Sequence, residues 1–207
     1  MKLISIFGQL MAGKDTLADD LVLSLNKSND VLWERSAFAN AVKDAFCSAF
    51  GVDREFIEKW KRINEPPVGM LMPVRQALQF IGDGYRQIVS DIWIQIALRD
   101  ESKNLIISDG RYINEAKHVK SKGGITVLVY RDGFLNNDPN PSESQLRPLL
   151  EYAKEYLSDG KINQRNLKNA PEGLEYFDVF VRNDTDRFGF INKAKGIILP
   201  MVKEIYG

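Results

Sequence analysis

Four groups of residues in this chain have types and spacings suited to chemistry. The first lies in "ISIFGQLMAGKDTLADDL" (residues 4–21), where Gly8, Gly13 and Lys14 fit G-x-x-x-x-G-K between an apolar run and a helical one. Glycines there let backbone N–H groups converge on phosphate oxygens. The following helix start adds unpaired N–H groups and a positive dipole end. Lys14 supplies a mobile charge for the outer phosphates. A bare strand-to-helix turn with a solvated lysine is the alternative, but it requires neither both glycines nor the lysine.

The second group follows at once. The position after the lysine usually carries Ser or Thr for magnesium, and here it is Asp15, with Thr16 next. Asp15 admits three readings: an acid favoured in the first helical turn, an oxygen donor to magnesium directly or through water, or a bystander whose neighbour Thr16 does the hydroxyl's work. A carboxylate beside phosphates is tolerable where a cation lies between them.

The third group is "LIISDGR", which brings Asp109 to the carboxyl end of a strand, where ligands sit in open α/β sheets. Asp109 is expected to help magnesium from the outer sphere or to orient an acceptor, and Arg111 to clamp a phosphate. An ordinary strand-ending turn explains the same letters. The fourth group is Arg75, Gln79, Gly82 and Arg86, which share one face of a continuous helix opposite Val74, Ala77, Leu78 and Ile81. Two arginines and an amide on one stripe suit an anion and a base edge; a solvated helix face explains them equally. Lys43 falls on the polar side of its helix. Trp93 either stacks on a base or fills the core. His118 reads as a surface residue and Cys47 as a small core residue.

Alternating strands and helices must position these groups. Residues 2–7 read as a buried strand, with Leu17, Leu21, Val22 and Leu25 at helical spacing after it; residues 31–35 read as a second strand. A helix from Ala39 ends at Gly51, and Asp53 caps the next. Residues 74–80 and 90–100 are helical, with "IGDG" as a bend between them. Residues 104–109 and 125–130 are apolar strands flanking a helix over 114–122. Residues 131–175 are polar and read as a mobile insertion containing a helical "LLEYAKEYL". Residues 176–181 form a last strand, and Ile191, Ala194, Ile198, Val202 and Ile205 mark a closing helix. The pattern predicts a three-layer α/β fold, mainly parallel, with helices on both faces.

Totals set the limits. At 207 residues one compact domain is expected, covering 1–207. Lys plus Arg equals Asp plus Glu at 28 each, so there is no electrostatic footprint for nucleic acid. One cysteine excludes an internal disulfide and a zinc-thiolate cluster. "MKLISIFG" is too short for a signal peptide, and no apolar stretch approaches a membrane span, so a cytoplasmic protein that does not engage membrane is expected.

With these pieces in order the sequence resembles the phage-type deoxynucleoside monophosphate kinases, a branch of the P-loop nucleoside monophosphate kinases. "GQLMAGKDT" matches their tendency to follow the loop lysine with Asp-Thr. "SAFANAVKDAF" resembles the block that opens the acceptor site, and "VRQALQFIGDGYR…DIW" the Arg…Leu-Gln…Gly…Trp block. "ISDGRYINEA" resembles Ser-Asp-x-Arg-x-x-x-Glu, "VYRDGF…SES" the lid-side arginine and Ser-Glu pair, and "DVFVRND" the closing strand. The chain departs from the family at "IGDG", where Gly-Thr is usual, and at 148–174, which looks inserted.

The resemblance implies ATP-dependent transfer of the γ-phosphoryl group to a deoxynucleoside 5′-monophosphate. It implies that backbone N–H groups of residues 11–15, Met11 and Ala12 among them, and the Lys14 amine hold donor phosphates while Asp15 and Thr16 serve Mg2+. Phe38, Ala39, Lys43, Arg75, Gln79, Arg86, Trp93, Arg111 and Glu143 would face the acceptor, within a helical region of about 37–100. Arg131 would close from a lid at about 131–175, and Asp109 would orient. Partners would be small nucleotides, with a homodimer as the family pattern. Rival readings are a P-loop kinase for dephospho-coenzyme A or phosphomevalonate, and a non-catalytic nucleotide-binding module.

Overall fold

A computed structural model describes residues 1–28, 32–134 and 144–207. The chain divides into two compact units, one of Met1–Ala37 with Glu101–Gly207 and one of Phe38–Asp100.

The first unit is built on a six-stranded sheet. β1 (Leu3–Phe7), β2 (Trp33–Ser36), β3 (Asn104–Gly110), β4 (Ile125–Tyr130), β5 (Gly160–Lys161) and β6 (Val179–Arg182) lie in the order β2-β3-β1-β4-β6-β5. All neighbours are parallel except the short β5, which runs antiparallel along β6. Parallel strands need crossovers, and helices supply them on both faces. On one face α1 (Lys14–Ser28) and the C-terminal helix α8 (Arg187–Tyr206) cover Ile4, Ile6, Val127, Val129, Val179 and Val181. On the other, α6 (Ile113–Ser121) and α7 (Arg147–Tyr156) cover Phe7, Leu128, Tyr130 and Phe180. Alternate residues of β4 and β6 therefore enter opposite cores, as the two-residue strand period requires. The fold is the expected three-layer α/β arrangement, mainly parallel with helices on both faces.

Part of the segment expected to form a lid, residues 131–175, packs on the sheet. From Leu146 onward the segment belongs to the covering layer, because Leu146, Leu149, Leu150, Ala153 and Leu157 are all buried against the sheet. Five apolar side chains at helical spacing hold a helix down on a core and cannot swing clear of it cheaply, since each fully buried leucine is worth roughly 1.5–3 kcal/mol. β5 and a 3-10 turn (Leu174–Tyr176) then lead into β6, which is confined to Val179–Arg182, so Tyr176 to Asp178 precede the strand.

The second unit is helical: α2 (Ala39–Phe50), α3 (Arg54–Trp60), α4 (Val74–Ile88) and α5 (Ile92–Ala97). α2 ends at Gly51, whose φ of 64° returns the chain at no Cβ cost. Asp53 caps α3 by accepting from the Phe56 N–H at 2.8 Å. α4 runs without a bend through Gly82 and Gly84. The reason is packing: Gly82 is buried, and its carbonyl accepts the Trp93 indole N–H at 2.9 Å. Among the described residues no helix is long and apolar enough to cross a membrane.

Candidate phosphate-loop site

The loop between β1 and α1 has the backbone its sequence demands. Gly8 and Gly13 have φ of 151° and 100°, and Met11, exposed at the crest, has φ of 62°. A Cβ on Gly8 would overlap the Val129 carbonyl oxygen, and one on Gly13 would come within 2.7 Å of Asn183 Nδ2. The first helical bond of α1 is Leu17 N–H to Gly13 O at 3.0 Å, so the N–H groups before it have no helical acceptor.

Lys14 is buried, and its amine donates to the Gly8 and Gln9 carbonyls at 2.8 Å each. The amine is thus folded over the loop it belongs to. Three contacts from the carboxyl ends of β4 and β6 brace the same loop. Gln9 Nε2 donates to Arg131 O at 2.7 Å, Arg131 Nη1 donates to Met11 O at 3.1 Å, and Asn183 Nδ2 donates to Ala12 O at 2.9 Å. Asn183 is itself fixed by its backbone N–H on Tyr130 O at 2.8 Å. The guanidinium of Arg131 also lies over the Phe134 ring at 4.4 Å.

Asp15 is engaged from two strands. Its Oδ1 accepts from the Ser108 hydroxyl at 3.0 Å and from Arg35 Nη2, while Arg35 Nε donates to Ser108 Oγ at 3.2 Å. Arg35 Nη1 reaches Asp19, one helical turn along α1, at 2.7 Å. Asp109 follows Ser108 on β3, and Thr16 is half-buried in the first turn. Arg111 is positioned through its backbone. Glu115, 3% exposed, accepts from the Arg111 and Tyr112 N–H groups at 2.8 and 3.0 Å, closing a capping box at the start of α6. Beyond Arg131, Tyr130 donates its hydroxyl to Asp132 at 2.7 Å; that bond, with Lys154 nearby, holds the Asp132 carboxyl below its usual range, and burial with the same bond raises Tyr130.

The structure therefore gathers Gly8, Met11, Ala12, Gly13, Lys14, Asp15, Thr16 and Arg131 about one loop, with Asp109 and Arg111 at the end of β3 and just beyond it. The helical unit holds the rest save Glu143. Lys43 pairs with Glu58 at 3.0 Å, and a Lys61 hydrogen bond together with Lys43 brings the Glu58 carboxyl down to about 2. Arg75, Gln79 and Arg86 stand on α4, with Arg86 3.4 Å from Asp83. Ala39 opens α2 after Phe38. Phe38 and Trp93 are each 2% exposed, so neither offers a ring face for stacking; Trp93 belongs to the core with Ala41 and Val42. Glu143 lies outside the described residues.

The sequence reading did not single out Gln9, Arg35, Ser108, Glu115 or Asn183. Gln9, Ser108, Glu115 and Asn183 each stood in a block quoted above; nothing local marked Arg35.

The chain is similar to a viral protein. That protein is the "Putative deoxynucleotide monophosphate kinase" of Acanthamoeba polyphaga mimivirus, 27% identical over 171 residues, which span 73% of this chain and 86% of the relative. No family model matches. Similar solved structures include dephospho-CoA kinase from Campylobacter jejuni, with 16% identity, 99% of each chain covered and a TM-score of 0.41. Shikimate kinase from Aquifex aeolicus has 15% identity, with 99% of this chain and 97% of that one covered and a TM-score of 0.43.

Proposed function

We propose that this chain is an ATP-dependent kinase that transfers the γ-phosphoryl group to a deoxynucleoside 5′-monophosphate, releasing ADP and the diphosphate. The observation that carries a phosphate-binding role is the loop itself: two glycines at positive φ, a buried lysine amine held by two loop carbonyls, and the start of α1. The acceptor class is supported by the name of the viral relative and by the block order of the sequence.

In this reading the Lys14 amine leaves the Gly8 and Gln9 carbonyls for the donor phosphates, which also take the N–H groups at the start of α1. Arg131, already on the loop through Met11 O, adds its charge to the transferring group. The residues fit ATP: Gly8 and Gly13 turn the loop at positive φ, and the Lys14 amine and the start of α1 supply donors for phosphate oxygens. They fit Mg2+ as a phosphate-borne ion. Thr16 and Asp15 offer the hard oxygens it prefers, and among the described residues no three His, Cys, Asp or Glu side chains gather to hold a metal alone. When bound, the ion would draw charge from the phosphates. Arg111, steadied by Glu115, and Asp109 orient the acceptor. Lys43, Arg75, Gln79 and Arg86 are proposed to bind it, Phe38 and Ala39 to start its block, and Glu143 to contribute from the segment after Arg131. Trp93 serves by fixing α4. An acceptor phosphate is already anionic, so positioning and charge suffice without a general base.

The test is a panel of deoxynucleoside monophosphates, nucleoside monophosphates, dephospho-coenzyme A and phosphomevalonate with ATP, read as acceptor-dependent ADP release. The proposal expects release with a deoxynucleoside monophosphate. Release with a non-nucleotide acceptor alone defeats the substrate assignment, and ATP binding without any acceptor-dependent release defeats the kinase.

A further inference from the structure

A carboxylate one residue after the loop lysine ought to repel the phosphates that the loop would hold. Asp15 is such a carboxylate, and it is mostly exposed, with 73% of its side-chain surface open to solvent. Its pairing is unusually specific. Arg35, at the carboxyl end of β2, sends Nη2 to Asp15 Oδ1, Nη1 to Asp19 Oδ1 at 2.7 Å and Nε to Ser108 Oγ at 3.2 Å. Ser108, 2% exposed on β3, completes a ring by donating to the same Asp15 Oδ1 at 3.0 Å. Three elements thus meet at one oxygen. The parallel register makes this possible, since Arg35 pairs with Ile106 and Ser36 with Ile107, bringing the end of β2 level with Ser108. The planar guanidinium suits a fork of three acceptors in a way that an ammonium does not.

We propose that Arg35 is a positioning and charge-compensating residue of the phosphate-loop site: it neutralises Asp15 and, with Ser108, fixes that carboxylate so that a polyphosphate can occupy the start of α1. The inference rests on the phosphate-binding reading above. Arg35 acts through Asp15. Remove the guanidinium, and a lone carboxylate faces the phosphates beside Asp19, another acid; remove the Asp15 charge as well, and the repulsion goes with it. Metal-free ATP is the sensitive probe, because no cation then shields the acid.

The experiment measures ATP binding by titration calorimetry in EDTA at low salt for wild type, Arg35→Met, Arg35→Lys, Asp15→Asn and Arg35→Met/Asp15→Asn, with the melting temperature of each recorded. Arg35→Met is expected to weaken binding roughly three- to tenfold, the scale of one uncompensated charge near the surface. Adding Asp15→Asn is expected to return it to within about twofold of wild type, an interaction a purely structural role would not give. Arg35→Lys should keep most of the affinity. Asp15→Asn alone leaves Arg35 with one acid fewer and should bind at least as tightly as wild type, which tests the idea even if Arg35→Met fails to fold. The proposal is overturned if Arg35→Met binds normally, if the second substitution rescues nothing, or if Asp15→Asn alone weakens metal-free binding. Failure of the wild type to bind ATP with or without Mg2+ would instead overturn the phosphate-binding reading on which it stands.

Discussion

Replacing Gly13 by alanine should damage both the fold and the site, by an amount that follows from two local terms. Gly13 has φ of 100°, a region that L side chains occupy only under strain, at about 1–3 kcal/mol. The added methyl would also sit 2.7 Å from Asn183 Nδ2 and 3.1 Å from the Phe190 ring. Asn183 can yield only by giving up its bond to Ala12 O, and one such bond is worth about 0.5–1.5 kcal/mol net. Gly13→Ala is therefore expected to lose about 2–4 kcal/mol, which for a chain of this size lowers the melting temperature by about 5–15 °C. Urea unfolding followed by circular dichroism measures the first figure and a thermal scan the second. Asn183→Ala removes the atom the methyl meets, so the double variant should cost about 1 kcal/mol less than the sum of the singles. A Gly13→Ala protein that unfolds within about 0.5 kcal/mol of wild type and binds ATP normally would refute the reasoning.

Two further outcomes follow from buried or paired carboxylates. Glu115→Ala strands the N–H groups of Arg111 and Tyr112 and should cost about 2–3 kcal/mol in urea unfolding, whereas Glu115→Gln keeps an acceptor oxygen and should cost about 1 kcal/mol; equal costs would show that the capping bonds do not matter. Glu58 has its folded-state value lowered from 4.5 to about 2, so its contribution is complete above about 4.5 and is lost as pH falls from there towards 2. A difference in melting temperature between wild type and Glu58→Gln should be present at pH 6 and vanish near pH 2, with a size below about 1 kcal/mol because the pairs are at the surface; a difference that grew on acidification would contradict the pairing.

Much of the first unit was legible because its signals are local. An apolar strand, a glycine loop and a helical repeat stand next to one another from residue 3 to 28, and in the second unit Gly51 ends α2 through its backbone freedom while Asp53 starts α3 with a side-chain cap. What was not legible depends on partners remote in sequence. "IGDG" reads as a bend, yet α4 continues through it because Trp93, eleven residues on, packs at Gly82 and uses its carbonyl. Residues 131–175 look polar enough for a lid, but the leucines from 146 to 157 find Phe7, Leu128 and Phe180 on a sheet face assembled from elsewhere. The pairing of Asp15 with Arg35 was not legible either, since Arg35 lies twenty residues away on β2 and only strand register brings the two together.

The central claim is tested most directly by identifying the phosphorylated product. With ATP, Mg2+ and the deoxynucleoside monophosphate accepted in the panel, phosphorus NMR should show the two coupled signals of a new diphosphate growing with ADP. The growth should cease in a folded Lys14→Ala variant, which lacks the buried amine held on the Gly8 and Gln9 carbonyls. Inorganic phosphate in place of a diphosphate, or undiminished transfer in Lys14→Ala, would contradict the account.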